Sequence, residues 1–244
     1  MYNIVLDTNE LLMVDDFLPQ DVWDKIFNQV QADQWFTSTI EDKYWHITDG
    51  PNHKNQKRHW TKYPYGDNMD LWFEHLEKFV STCPSMKKFA EDYEEMAVRC
   101  HAYPVGSKNP WHTDLGMPTY TFYLHKEWQI NWDSTLLVLP YGAVNYDQRM
   151  ELLEGTKQYD DYSDIGAMEM FEQNKKYKDI MQYGHGTFVS PKPNRLIFIN
   201  KGVVHGITRV DSDAGQNLRI SLTGFVQEKK WREYPEWRDW PNEQ

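Results

Sequence analysis

Cysteine is scarce: the 244-residue chain holds two, Cys83 and Cys100. Their spacing is not that of a metal knuckle, and two thiols in a chain this long read as reduced core side chains rather than a disulfide framework. Long apolar runs are missing too; none approaches the roughly 18 residues that a membrane span needs. The opening stretch, MYNIVLDTNELLMVDD, is acidic where a leader peptide is basic. Basic charge is also short: 26 Lys and Arg stand against 37 Asp and Glu, a formal net charge of -11. Nucleic-acid binders carry a basic stripe, and the cations here are scattered. No Ser/Gly tract, Pro-rich spacer or fixed-period repeat divides the chain. These absences lead us to expect one domain over 1–244, in the cytoplasm, with no membrane and no nucleic-acid partner.

Aromatic side chains make up 15% of the residues, with 11 Trp, enough for a sizeable core despite low mean hydropathy. The pattern predicts a short strand and a helix start before residue 19, then a helix from Asp21 burying Val22, Ile26, Phe27 and Val30. Residues 38–68 have no sustained period and read as a long loop or irregular hairpin. Met69, Trp72, Leu76, Phe79 and Val80 mark a second amphipathic helix. Pro84 opens a third, through SMKKFAEDYEEMA. After residue 96 the texture changes to short β-favouring segments: MAVRCHAY, TYTFYL, TLLVL, TFVS, RLIFIN, HGITRV and LRISLTGFV. Turn residues separate most of them, which predicts an antiparallel β barrel or sandwich. The stretch 141–186 reads as a helical insertion, a lid or a decoration. The organisation expected is helical support over 1–96, a β core over 97–230 with that insertion, and an aromatic strap over 231–244.

The chemistry starts in AYPVGSKNPWHTDLG, at His112 and Asp114. H-x-[DE] alone is weak, and His75/Glu77 and His125/Glu127 match it too. His75 and Glu77 lie in a helical pattern, where residues two apart face different ways. His125 and Glu127 fall in a charged turn. His112 and Asp114 follow Trp111 in an extended stretch, where residues two apart point the same way and can share one cation. The third ligand must come from another strand; His205, after the apolar RLIFIN, is the candidate. Downstream, Arg219, Ser221 and Thr223 alternate with Leu218, Ile220 and Leu222. An inward Arg is costly unless it meets an anion. Its planar fork suits a small ligand's carboxylate; an internal salt bridge is the alternative. Two His and one carboxylate suit non-haem Fe(II). Zinc also accepts such ligands. The inward Arg favours iron with a dicarboxylate co-substrate.

In order along the chain, DDFLPQDVWDKIF, HAYPVG…WHTD, YTFYLHKEWQINWDSTLLVLP, FVSPKPNRLIFINKGVVHGITRV and LRISLTGF resemble blocks of the 2-oxoglutarate- and Fe(II)-dependent dioxygenases of the prolyl 4-hydroxylase type. The resemblance implies a mainly β fold, a double-stranded β-helix (jelly roll, cupin-like) with flanking N-terminal helices. It implies that His112, Asp114 and His205 bind Fe(II). Arg219 would pair with the distal carboxylate of 2-oxoglutarate, assisted by Tyr123, with Ser221 on the same face. Tyr103 would reach toward the metal-chelating end. The partners implied are 2-oxoglutarate, O2 and a peptidyl-proline or small amino-acid-like substrate, with ascorbate as a candidate reductant. The 38–68 loop, with Trp45, His59 and Trp60, and the insertion are candidate substrate walls. DST at 133–135 replaces the family's double glycine, so the strand entry there is expected to differ. Asp114 argues against the halogenating relatives, which leave that position to chloride. The competing reading is a non-catalytic or zinc-bound jelly-roll binding module.

Overall fold

The structure, a computed structural model, describes residues 2–32, 60–62, 67–89, 93–96, 98–112, 118–140 and 184–228. An antiparallel hairpin of β1 (Asn3–Asp7) and β2 (Leu11–Asp15) opens the chain, where one strand was expected. Its turn closes through Thr8, whose N–H donates to Leu11 O. The helix α1 (Gln20–Ala32) follows, with Val22, Ile26, Phe27 and Val30 buried as their spacing predicts. Asn194, at φ 59°, holds the approach to it: its side chain accepts from Leu18 N–H and donates to Leu18 O. The helix α2 (Asp67–Thr82) buries Met69, Trp72, Leu76, Phe79 and Val80.

The third helix does not form. Pro84–Lys88 makes only a 3-10 turn, and Tyr93–Met96 is a strand, β4. The cause is tertiary. The strand β12 (Arg219–Glu228) is ten residues long, and β4 pairs with its far end, Val226 opposite Met96. Strand propensity yields readily to such pairing. Within 38–68, Trp60–Lys62 is a short strand, β3. The other described strands are β5 (Arg99–Tyr103), β6 (Asn109–His112), β7 (Thr119–Tyr123), β8 (Leu136–Val138), β9 (Thr187–Val189), β10 (Leu196–Ile199) and β11 (His205–Ile207). Residues 33–59 with Trp45 and His59, residues 141–183 of the insertion and the strap lie outside the described residues.

Two sheets result. The larger runs β1-β2-β10-β7-β12-β5-β3, with β4 beside β12; the smaller runs β6-β11-β8-β9. Alternation along each strand assigns the faces. On the larger sheet, Leu12, Val14, Leu196, Phe198, Tyr120, Phe122, Ile220, Leu222, Cys100 and Ala102 pack with α1 and α2 in one aromatic-rich core. Trp72 is fully buried there, its ring 4.9 Å from that of Phe122. Deleting a side chain of that size costs about 3–5 kcal/mol. The opposite face carries Leu11, Ile197, Ile199 and Tyr123, which meet Leu136, Val138 and Val189 of the smaller sheet. The sheets therefore pack face to face, as a jelly roll does. Both cysteines are free and buried. Among the described residues no helix is long and apolar enough to cross a membrane.

The entry to β8 is strained. Asp133 and Ser134 both have positive φ, 55° and 59°. They hold a positive-φ backbone form that glycine adopts without steric cost. Four hydrogen bonds keep it so. Trp128 Nε1–H donates to Asp133 O, Ser134 N–H to Arg209 O, Thr135 N–H to Thr208 Oγ1, and Thr208 Oγ1–H to the Asp133 carboxylate. Ser134 is buried, and its hydroxyl has no hydrogen-bond partner among the described residues. A left-handed non-glycine residue costs roughly 1–2 kcal/mol, against about 0.5–1 kcal/mol of added chain entropy for glycine. Ser134→Gly, which also removes the orphaned hydroxyl, is expected to raise stability by about 1 kcal/mol. The readout is a higher urea midpoint with an unchanged slope.

Candidate active site

Period-2 alternation puts a polar rank on the inner face of the larger sheet. Tyr103 of β5 stands directly opposite Arg219 of β12. One step along, Ser221 lies opposite His101 on one side and Tyr123 on the other. The Arg219 guanidinium carbon is 5.1 Å from the centre of the Tyr103 ring and 4.8 Å from that of Tyr123. The two phenol rings thus clamp a charged plane, a contact worth about 2 kcal/mol when water is excluded. Burial pushes the Tyr103 phenol above its ordinary range; Arg219 opposes this and Tyr123 adds to it. Tyr103 therefore keeps its proton at neutral pH and remains a donor.

Arg219 is 1% exposed, and Tyr123 and Ser221 are fully buried. Nine buried side-chain nitrogen and oxygen atoms have no hydrogen-bond partner among the described residues. Five of them are the three guanidinium nitrogens of Arg219, the Tyr123 hydroxyl and the Ser221 hydroxyl. An internal salt bridge to a described acid is thereby ruled out. Donors left bare in a core cost about 1–3 kcal/mol each, and more when charged. Their concentration on three neighbouring residues makes a buried donor set of the kind a carboxylate satisfies.

The smaller sheet carries His112 and His205. Its antiparallel pairing puts His205 of β11 opposite His112 of β6 and, on its other side, opposite Val138 of β8. Val138 belongs to the inner cluster that contains Tyr123, so His205 faces the interior the two sheets share. His205 is buried, and its Nδ1 lies 3.0 Å from Val203 O. A proton donated there makes Nε2 the basic nitrogen, the state a metal-binding imidazole needs. His112 is described at the level of its backbone, and Asp114 lies outside the described residues. Among the described residues no three His, Cys, Asp or Glu side chains gather as a metal cluster.

One residue was set aside in the sequence as part of a charged turn. His125 is 3% exposed while its neighbours Lys126 and Glu127 are exposed. Its ring lies 5.7 Å from Tyr123 and 5.1 Å from Trp128. The signal was available: His125 follows Tyr123 by two in extended chain, so both side chains take one face. Burial above all holds its pKa down to about 4; Arg219 presses the same way, and the carbonyls of Pro191 and Ile220 pull back. An unfolded histidine takes its proton near pH 6.5, while the folded ring refuses it until about 4. Protons between those values favour the unfolded chain. Stability is therefore expected to fall as pH drops from about 6.5 toward 4. In urea unfolding at successive pH values, His125→Gln is expected to flatten that part of the profile.

No family model matches the chain, and no curated protein sequence does. Solved structures do match. A prolyl 4-hydroxylase from Pseudomonas putida superposes with TM-score 0.57 at 13% identity, over 91% of this chain and 94% of that one. A Trichoplax adhaerens prolyl hydroxylase bound to a hypoxia inducible factor peptide gives 0.58 at 12%, over 93% and 87%. HygX from Streptomyces hygroscopicus, with nickel and 2-oxoglutarate bound, gives 0.51 at 10%, over 90% and 83%; another HygX structure also holds hygromycin B. Identities this low speak for architecture alone, and the architecture is plain: this chain has the jelly-roll fold of the prolyl 4-hydroxylase-like oxygenase structures.

Proposed function

We propose that the chain is a 2-oxoglutarate- and Fe(II)-dependent oxygenase that hydroxylates an aliphatic C–H bond, releasing succinate and CO2. The observation that carries this reading is the buried donor set of Arg219, Tyr123 and Ser221, which has no hydrogen-bond partner among the described residues, across the interior from a strand pairing that sets His112 opposite His205. Arg219 would take the distal carboxylate of 2-oxoglutarate in a two-pronged hydrogen bond, with Tyr123 and Ser221 donating beside it. His112, Asp114 and His205 would hold the iron, a donor set suited to Fe(II) with open positions. Iron so held supplies the oxidising power for C–H cleavage, drawn from O2 and 2-oxoglutarate. The protein's own contribution is orientation and dryness. His205 Nδ1 is tied to Val203 O, which fixes its ring, and the inner apolar cluster keeps water from the reacting centre. Tyr103, still protonated, would donate a further hydrogen bond to the bound diacid.

The competing reading is a non-catalytic or zinc-bound binding module; it could use the same buried donors for a diacid, and turnover separates the two. The substrate class is peptidyl proline or a small amino-acid-like molecule. The structural neighbours include one bound to a peptide and one bound to a small molecule. The test is succinate release from 2-oxoglutarate by the protein with Fe(II) and oxygen. Parent protein is expected to release succinate, and His112→Ala and Asp114→Ala to stop it. Release that persists unchanged in both variants would overturn the proposed centre.

A further inference from the structure

His125 is not needed by the proposed chemistry, yet its ring nitrogens meet the backbone beside two residues of the proposed diacid site. Its Nε2 lies 2.7 Å from Pro191 O and its Nδ1 3.2 Å from Ile220 O. Each carbonyl belongs to the support of one recess residue. Ile220 follows Arg219 on β12, and its carbonyl also accepts from Leu124 N–H. Pro191 begins the turn that grips Tyr123 twice: Tyr123 N–H donates to Arg195 O, and Asn194 N–H donates to Tyr123 O. The imidazole therefore bridges the strand that carries the guanidinium and the turn that fixes the phenol. Its faces are filled by the rings of Tyr123 and Trp128, and Trp128 is itself pinned to Asp133 O. Only one ring nitrogen of a neutral imidazole carries a proton. The shorter contact, to Pro191 O, is where that proton belongs.

We propose that His125 is a positioning residue for the diacid recess: by donating Nε2–H to Pro191 O while its ring abuts Ile220 O, it sets the separation of Tyr123 and Arg219 and hence the tightness and length of diacid that the recess accepts. The inference rests on the oxygenase reading above. A ring that only fills space would affect folding and leave ligand discrimination alone. A ring that sets the recess changes the ratio of affinities for diacids of different length, and a fraction of unfolded protein cannot mimic that.

The test is calorimetric binding of 2-oxoglutarate and of 2-oxoadipate, one carbon longer, to protein loaded with Mn(II) without oxygen. His125→Leu keeps bulk and loses the Nε2–H donor to Pro191 O. It is expected to bind 2-oxoglutarate more weakly by about tenfold, the order of one hydrogen bond. The preference for 2-oxoglutarate over 2-oxoadipate is expected to shrink with it. His125→Gln places a donor where Nε2 stands and is expected to stay within about threefold of the parent, a fraction of one hydrogen bond. His125→Asn places its donor where Nδ1 stands and is expected to behave as His125→Leu, which keeps the test usable should the Leu protein fail to fold. Parent-like affinity and discrimination in Leu or Asn, or a Gln protein as weak as either, would overturn the assignment alone. Parent protein that binds neither diacid would remove the oxygenase reading and this inference together.

Discussion

Arg219→Met protein is expected to lose 2-oxoglutarate affinity by at least about a hundredfold and, with no ligand added, to unfold at a higher temperature than the parent. The two effects have one cause. The guanidinium is 1% exposed, and none of its three nitrogens has a hydrogen-bond partner among the described residues. Two phenol faces lie beside it, at 4.8 and 5.1 Å, and His125 feels its charge. Cation–π contact returns about 2 kcal/mol, less than the several kcal/mol that desolvating an ion costs. Methionine has similar length, no charge and enough flexibility to lie between two rings. Replacing a buried charge by such a side chain stabilises by about 1–4 kcal/mol in comparable cases. A bound diacid reverses the sign. Losing one partner of a buried ion pair costs about 3–5 kcal/mol, which is roughly a hundred- to several-thousandfold in affinity. Calorimetry with 2-oxoglutarate and a thermal melt without it give both numbers. An arginine kept only for stability predicts a lower melting temperature on substitution, and that result would remove the recess from the proposal.

Much of this architecture was legible in the residues, and for identifiable reasons. The α2 face was readable because five apolar side chains recur at helical spacing and all five meet one core. The inward rank of Arg219 and Ser221 was readable because a strand has period 2 and its alternate members, Ile220 and Leu222, are unambiguous core residues. What failed did so where distant chain decides. SMKKFAEDYEEMA has helical composition, but β12 outruns β5 and β7, and its last residues take Tyr93–Met96 as their partner. Nothing local to residues 93–96 announces a strand 130 positions away. The hairpin β1–β2 was read as one strand because its turn is short and its flanks are both apolar. His125 was passed over because its two successors are charged and exposed; charge on neighbours says little about a residue on the opposite face. The positive φ at Asp133 and Ser134 is the converse case. There the residue types argue against the backbone path, and the surrounding hydrogen bonds impose it.

His205→Ala is expected to abolish the stabilisation that a divalent metal confers and to cut succinate release by more than about a thousandfold, since the metal carries the hard step. Truncating a buried histidine also costs stability by itself, so the raw melting temperature decides nothing. The informative quantity is the increment produced by metal. A ligand present at about a hundred times its dissociation constant stabilises the folded state by about 2.7 kcal/mol. Mn(II) should produce that increment in the parent protein and none in His205→Ala at the same concentration. Two structural facts make the expectation specific. His205 stands opposite His112 in the β6–β11 pairing, so its loss removes one side of a cross-strand pair. Its Nδ1 lies 3.0 Å from Val203 O, and with the ring proton there Nε2 is the basic nitrogen. Arg219 lies on the other sheet, so weak metal-independent binding of 2-oxoglutarate should survive the substitution. A full metal increment in the alanine protein would make His205 a buried structural histidine, and the centre would then have to be sought away from the β6–β11 pair.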